Sequence, residues 1–175
     1  MAETQYELNP VTHITTDAIG KPGKRVFYIQ GQKDEKVITI LVEKIQIQTL
    51  AIGIEQFLGE LASRYPDLAE ASAEYDETKM HIHPPVDPLF RAGEVGLAYE
   101  AENDQVVLVL REIVSESKDS ESNRVVRLYC TRSQISAMCQ WGLDVTGRGR
   151  PICPYCGEPM DPEGHFCPKK NGHKH

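Results

Sequence analysis

The last 25 residues, Pro151 to His175, carry three of the five cysteines and three of the six histidines in a chain of 175 residues. So short and polar a stretch cannot build a core of its own, and units of that kind need a disulfide or a metal to hold them. The spacing favours the metal. Cys153-Pro-Tyr-Cys156-Gly157 is a C-x2-C step followed by a glycine, which lets the chain turn so that both sulfurs reach one ion. Further on, His165-Phe-Cys167 sets a histidine and a cysteine two residues apart, on one face of an extended segment. Cys153, Cys156, His165 and Cys167 together make a closed Cys3His set suited to structural Zn2+, a small zinc-ribbon or knuckle-like module. His173 and His175 are alternative fourth ligands, and iron fits the same donors. A catalytic zinc would keep an open position. The deaminase pattern of H-x-E followed by P-C-x-x-C is also missing, since His81-Ile-His83 has no glutamate in place and Ile152 precedes Cys153.

The remainder of the chain sets the context for that tail. No run approaches the roughly 18 apolar residues of a membrane span, and the acidic, polar start lacks the apolar stretch of a secretory signal. The expected address is cytoplasmic, where disulfides are disfavoured and clustered cysteines bind metal. A net charge of −7 argues against wholesale nucleic-acid binding. Arg148-Gly-Arg150-Pro151 spells the core of a minor-groove hook, but Asp144 and Thr146 precede it where further basic residues belong. It reads better as a linker.

From Arg25 the text turns β-like. RVFYIQ and VITILVEK flank a charged turn and predict an antiparallel hairpin. Ile47, Leu50, Ile54, Phe57, Leu58 and Leu61 then fall on one helical stripe, ended by Tyr65-Pro66. Residues 67–92 read as a proline-marked connection. EVGLAYEAENDQVVLVLREI predicts a second hairpin, VVRLYCT a fifth strand, and SQISAMCQWGLDV a helix capped by Ser133. Residues 1–24 show no periodicity. The expectation is an α+β fold: an antiparallel sheet of about five strands with helices on one face over residues 1–147, and the metal module over 148–175.

Outside the tail, Glu43, Lys44 and Gln46 stand where a strand feeds a helix, and from spacing alone they read as a solvated strand end. His81 and His83, flanked by prolines, read as loop histidines unless a carboxylate stands beside them. Cys130, Cys139 and Trp141 read as core.

The tail pattern G-R-P-x-C-P-x-C-G-x-P-x-D-P-x-G-H-x-C-P-x-x-N-G resembles the signature of a bacterial family catalogued as domain of unknown function 3090. Gly20-x-Pro22-Gly23-x-Arg25-x-Phe27-Tyr28-x-Gln30, Glu43-Lys44-x-Gln46 and Phe90-Arg91-Ala92-Gly93 are similar to that family's other motifs. The resemblance carries no activity. Its members tend to be encoded beside phosphatase-like and kinase-like proteins, which implies a phosphate-related setting. It also raises Arg25, Gln30, Glu43, Lys44 and Gln46 to candidate ligand-binding residues, and leaves Arg148, His81 and His83 outside any motif.

Three functions follow as expectations. The first is a binding or adaptor protein whose tail is ordered by structural zinc, meeting a protein partner or a small phosphate-bearing ligand. The second is an enzyme, a hydrolase or one acting on phosphate-bearing substrates, with a polar pocket near Arg25, Glu43 and Lys44. The third is nucleic-acid binding through Arg148 to Pro151.

Overall fold

The structure is a computed structural model that describes residues 3–21, 23–114, 123–148 and 154–157. Seven strands and three helices follow one another: β1 Thr4–Leu8, β2 His13–Ile19, β3 Val26–Lys33, β4 Lys36–Val42, α1 Lys44–Arg64, α2 Glu77–Met80, β5 Phe90–Glu100, β6 Gln105–Glu112, β7 Arg124–Cys130 and α3 Arg132–Gly147. The strands form one sheet in the order β1-β7-β6-β5-β4-β3-β2. The class is α+β, as expected, but the sheet has seven strands instead of five and is mixed. β1 runs parallel to β7, and β4 meets β5 in parallel over only two residue pairs. The two extra strands come from the N-terminal stretch, which reads without periodicity.

Those two strands shape the sheet. β1 and β2 lie at its opposite ends, yet only residues 9–12 join them. Laid flat, seven strands about 4.8 Å apart would separate the edges by about 29 Å. The five Cα steps from Leu8 to His13 reach at most about 18 Å. The sheet must therefore curl. The link itself bridges the curl: Val11 N donates to Tyr129 O of β7 at 2.8 Å, and Thr12 N donates to Gln32 O of β3 at 2.7 Å. β3 and β7 come so close that a Cβ on Gly31 would lie 2.9 Å from Leu128 Cδ2. Inside the curl sit Leu8, Ile14, Ile29, Ile40, Val106, Leu108, Leu110, Val126 and Leu128, all essentially buried.

The helices follow the sequence closely. α1 buries Ile47, Leu50, Ala51, Ile54 and Leu61, and Tyr65 caps its end just before Pro66. The cap of α3 lies two residues before Ser133: Thr131 accepts from Gln134 N while Gln134 Oε1 accepts from Thr131 N. Ser133 instead accepts from Ser72 N. α3 packs on α1 and along the outer edge of β2. There Trp141 Nε1 donates to Thr16 O at 2.7 Å, so an otherwise open strand edge is satisfied by a core side chain. The segment between α1 and β5 finishes that cover, with Thr15 Oγ1 donating to Met80 O and Ile82 N donating to Asp17. No helix among the described residues is long and apolar enough to cross a membrane.

Two outcomes follow from this packing. A Cβ on Gly142 would sit 2.9 Å from Ile47 Cγ2 and 3.0 Å from Thr16 Cγ2. Gly142→Ala therefore costs about 1–3 kcal/mol in urea unfolding. An unchanged midpoint would contradict the tight α1–α3–β2 junction. The second concerns alkaline pH. Burial pushes the Cys130 and Cys139 thiols from 9.0 up to about 12, and burial plus the Asp104 hydrogen bond pushes Tyr99 from 10.0 up to about 12. The fold holds these protons more tightly than the unfolded chain does. The stability these three groups contribute is therefore fully present below pH 9 and is lost as pH rises towards 12. Cys139→Ala should make that decline shallower.

Candidate functional site

Among the described residues, the five motif residues fall into separate groups. Arg25 is half-buried, donates from Nη1 to Val145 O at 2.9 Å and lies over the Phe27 ring, thereby closing the C-terminal end of α3. Burial lowers its pKa against the opposing pull of Asp17. Gln30 Nε2 donates to Thr39 Oγ1, its cross-strand neighbour on β4. Glu43 caps α1 and pairs with Arg91, while Gln46 Oε1 accepts from Glu43 N at 2.8 Å and its Nε2 donates to Ala92 O at 3.1 Å. Lys44 is exposed beside them. Glu43 and Gln46 form one joint between α1 and β5. No interaction among the described residues ties Arg25 or Gln30 to that joint. Arg25, Gln30, Glu43 and Gln46 each tie one element to another.

Of the metal set, Cys153, His165 and Cys167, with the alternative His173, lie outside the described residues. Cys156 is half-buried at the end of a turn through residues 154–156, and Gly157 follows at φ +75°. L side chains rarely adopt that backbone region, so the glycine after the second cysteine meets a conformational need. Among the described residues, no group of three His, Cys, Asp or Glu side chains stands close enough to hold a metal.

The cluster that does form lies where β2, the α2 region and the end of α3 meet. Asp17, 6% exposed, accepts from Ala18 N at 2.8 Å through Oδ1 and from Ile82 N at 2.9 Å through Oδ2. The same Oδ2 stands 3.2 Å from His81 Nδ1. A carboxylate oxygen in that position can only accept, so Nδ1 carries the proton and a neutral imidazole keeps the Nε2 lone pair for something else. The ring stands edge-on to Trp141 at 5.1 Å, and its side chain is 42% exposed. Nε2 lies 3.8 Å from Glu77 Oε1. Arg148 completes the cluster. Its guanidinium sits 4.9 Å over Trp141 and pairs with Glu77 at 2.8 Å and Asp144 at 2.9 Å. The hydrogen bond from Arg148 holds the Glu77 carboxyl below its ordinary pKa. An imidazole oriented in this way can act through Nε2 as a base or a ligand. His81 carries its carboxylate after all; His83 is exposed and makes no such contact. The H-x-H spacing marks the histidine, but Asp17 lies 64 residues away and only the fold reveals it.

A second feature lies on the other side of α1. Ile45, Thr49, Leu50 and Gly53 face Gly93, Glu94, Val95, Gly96 and Leu97 of β5 across a largely apolar recess of about 430 Å³.

The protein is thus of the α+β class, a curled mixed sheet with two packed helices and a cysteine-bearing C-terminal segment. It belongs to the family described as Protein of unknown function (DUF3090), whose model matches residues 6–167. No curated protein and no solved structure matches it.

The Asp17–His81 geometry has a direct test. Asp17→Ala strips two buried amides of their acceptor and should cost about 1–3 kcal/mol in urea unfolding, with a smaller loss for His81→Ala. In 15N NMR, the neutral wild-type His81 ring should carry its proton on Nδ1, and Asp17→Ala should abolish that preference. An unaltered ring signal would refute the pairing.

Proposed function

We propose that this is a cytoplasmic binding or adaptor protein whose C-terminal segment is ordered by one structural zinc on Cys153, Cys156, His165 and Cys167. The observation that carries the reading is the C-x2-C-G step joined to H-x-C, with Gly157 at φ +75° where such a turn needs a glycine. The family match supports His165 over His173, because it ends on Cys167 and leaves His173 outside. A Cys3His set fills all four positions of a tetrahedral ion and leaves none for a reacting water. The ion's part is then to fold the tail, and on the order of 10 kcal/mol of binding free energy is ample for that. The tail leaves the body at Arg148, which Glu77, Asp144 and Trp141 hold in place. An ordered tail anchored there is suited to meeting a protein partner or a small phosphate-bearing ligand. Binding is further supported by the use of Arg25, Gln30, Glu43 and Gln46 as structural joints instead of a reactive cleft.

A second reading, an enzyme, finds its support at His81, a half-exposed ring whose Nδ1 is held by buried Asp17 while Nε2 lies 3.8 Å from Glu77. The nucleic-acid reading weakens, since Arg148 would have to leave both Glu77 and Asp144 to enter a groove.

Metal analysis of the full chain, purified in reductant without added metal, decides the first reading. One zinc per chain is expected, lost in Cys153→Ser and weakened in His165→Ala, with the circular dichroism of the body retained. Metal-free protein that is otherwise folded would overturn it.

A further inference from the structure

We propose that the recess between α1 and β5 binds an extended peptide bearing apolar and basic side chains, which adds as a strand to the free edge of β5. The proposal deepens the binding-protein reading and rests on it. Its first support is an unfinished ladder. β5 pairs with β6 along its length but with β4 only at Phe90 and Arg91. Gln46 Nε2 takes Ala92 O, which shows that this side of the strand faces α1. Beyond it, residues 93–100 have no backbone partner on that side among the described residues. Alternate residues there leave both an N–H and a C=O unused, and an extended chain is the ligand that satisfies such a row.

The second support is the pair of glycines facing that edge. A Cβ on Gly53 or Gly96 would meet nothing within 4 Å, and neither residue has positive φ. At Gly31, Gly93 and Gly142, by contrast, a Cβ would come within 3 Å of a neighbour; Gly59 and Gly147 are as open as Gly53 but do not line the recess. Glycine inside a helix is less stable than alanine there, and Gly53 has neither backbone geometry nor packing to require it. Gly53 and Gly96 keep open the space that an incoming backbone would occupy. The five β5 residues lining the recess span about 14 Å at strand spacing, room for a short peptide.

Side chains and charge specify the occupant. Leu50, Val95 and Leu97 line the recess and Ile45, 64% exposed, stands at its lip, so alternate apolar side chains have somewhere to go. The charged residue lining it is Glu94, 76% exposed and 3.9 Å from Arg111, in a chain of net charge −7. A lysine or arginine on the peptide complements it. A second copy of this chain would instead bring two Glu94 carboxylates to the same seam.

The test selects peptides from a random library displayed against the full chain, then titrates them against the wild type, Gly53→Leu, Gly96→Val, Glu94→Lys and Cys153→Ser. The glycine variants should unfold no more easily than wild type in urea. The expected peptides alternate apolar and basic residues, and bind about tenfold or more weakly to Gly96→Val, Gly53→Leu and Glu94→Lys. They should protect amides 93–100 from exchange and bind Cys153→Ser normally, since the site belongs to the body; that holds whether or not the tail takes zinc. The proposal is overturned if no peptide is selected, or if binding is equal across the groove variants. Loss in Cys153→Ser alone would also overturn it by moving the site to the tail. A dimer in sedimentation that Gly96→Val disrupts would overturn it too, by giving the edge to self-association.

Discussion

Residues 9–12 must carry the chain from one edge of a seven-stranded sheet to the other, and four residues are too few to cross it flat. The sheet curls because of that shortage. The curl brings β3 against β7, which is why Gly31 opposes Leu128 and why the interior fills with aliphatic side chains from both halves. It also turns β2 into an outer edge that needs cover. α3 supplies it through Trp141 and Gly142, and the segment before β5 supplies the rest through Met80 and Ile82. Asp17 is buried by that cover, and its burial in turn aligns His81.

A different shortfall opens the other side of the molecule. β4 leaves β5 after two residue pairs because the chain turns into α1, and Glu43, Gln46 and Arg91 lock the turn. The recess beside β5 is the space between that departing chain and the strand it no longer pairs with. The body therefore presents two separate features: a free strand edge beside α1, and a polar corner at His81 and Arg148 from which the cysteine tail departs.

Much of this architecture is legible in the sequence. Both hairpins announce themselves through β-branched runs around charged turns, and α1 through its apolar stripe and the Tyr65-Pro66 stop. β1 and β2 escape notice because their partners are remote: Thr4–Leu8 pairs with β7, and the threonines of His13–Ile19 are buried by a helix far along the chain. Ile14, Thr15, Thr16 and Ile19 carry the β-branched signal, but without alternation. The cap of α3 falls on Thr131 because the strand ends at Cys130, which moves the start ahead of Ser133. Spacing along the chain cannot distinguish a side chain turned to a ligand from one turned to a neighbouring group, as those of Arg25, Gln30 and Gln46 are. Asp17 and His81 meet only through the fold.

The binding role of the tail depends most on the metal that Cys153, Cys156, His165 and Cys167 are proposed to share. Zinc-edge X-ray absorption on the full chain reads that coordination shell directly. Three sulfurs at about 2.3 Å and one nitrogen at about 2.0–2.1 Å are expected, unchanged by His173→Ala. A shell of oxygen and nitrogen donors without sulfur would contradict it.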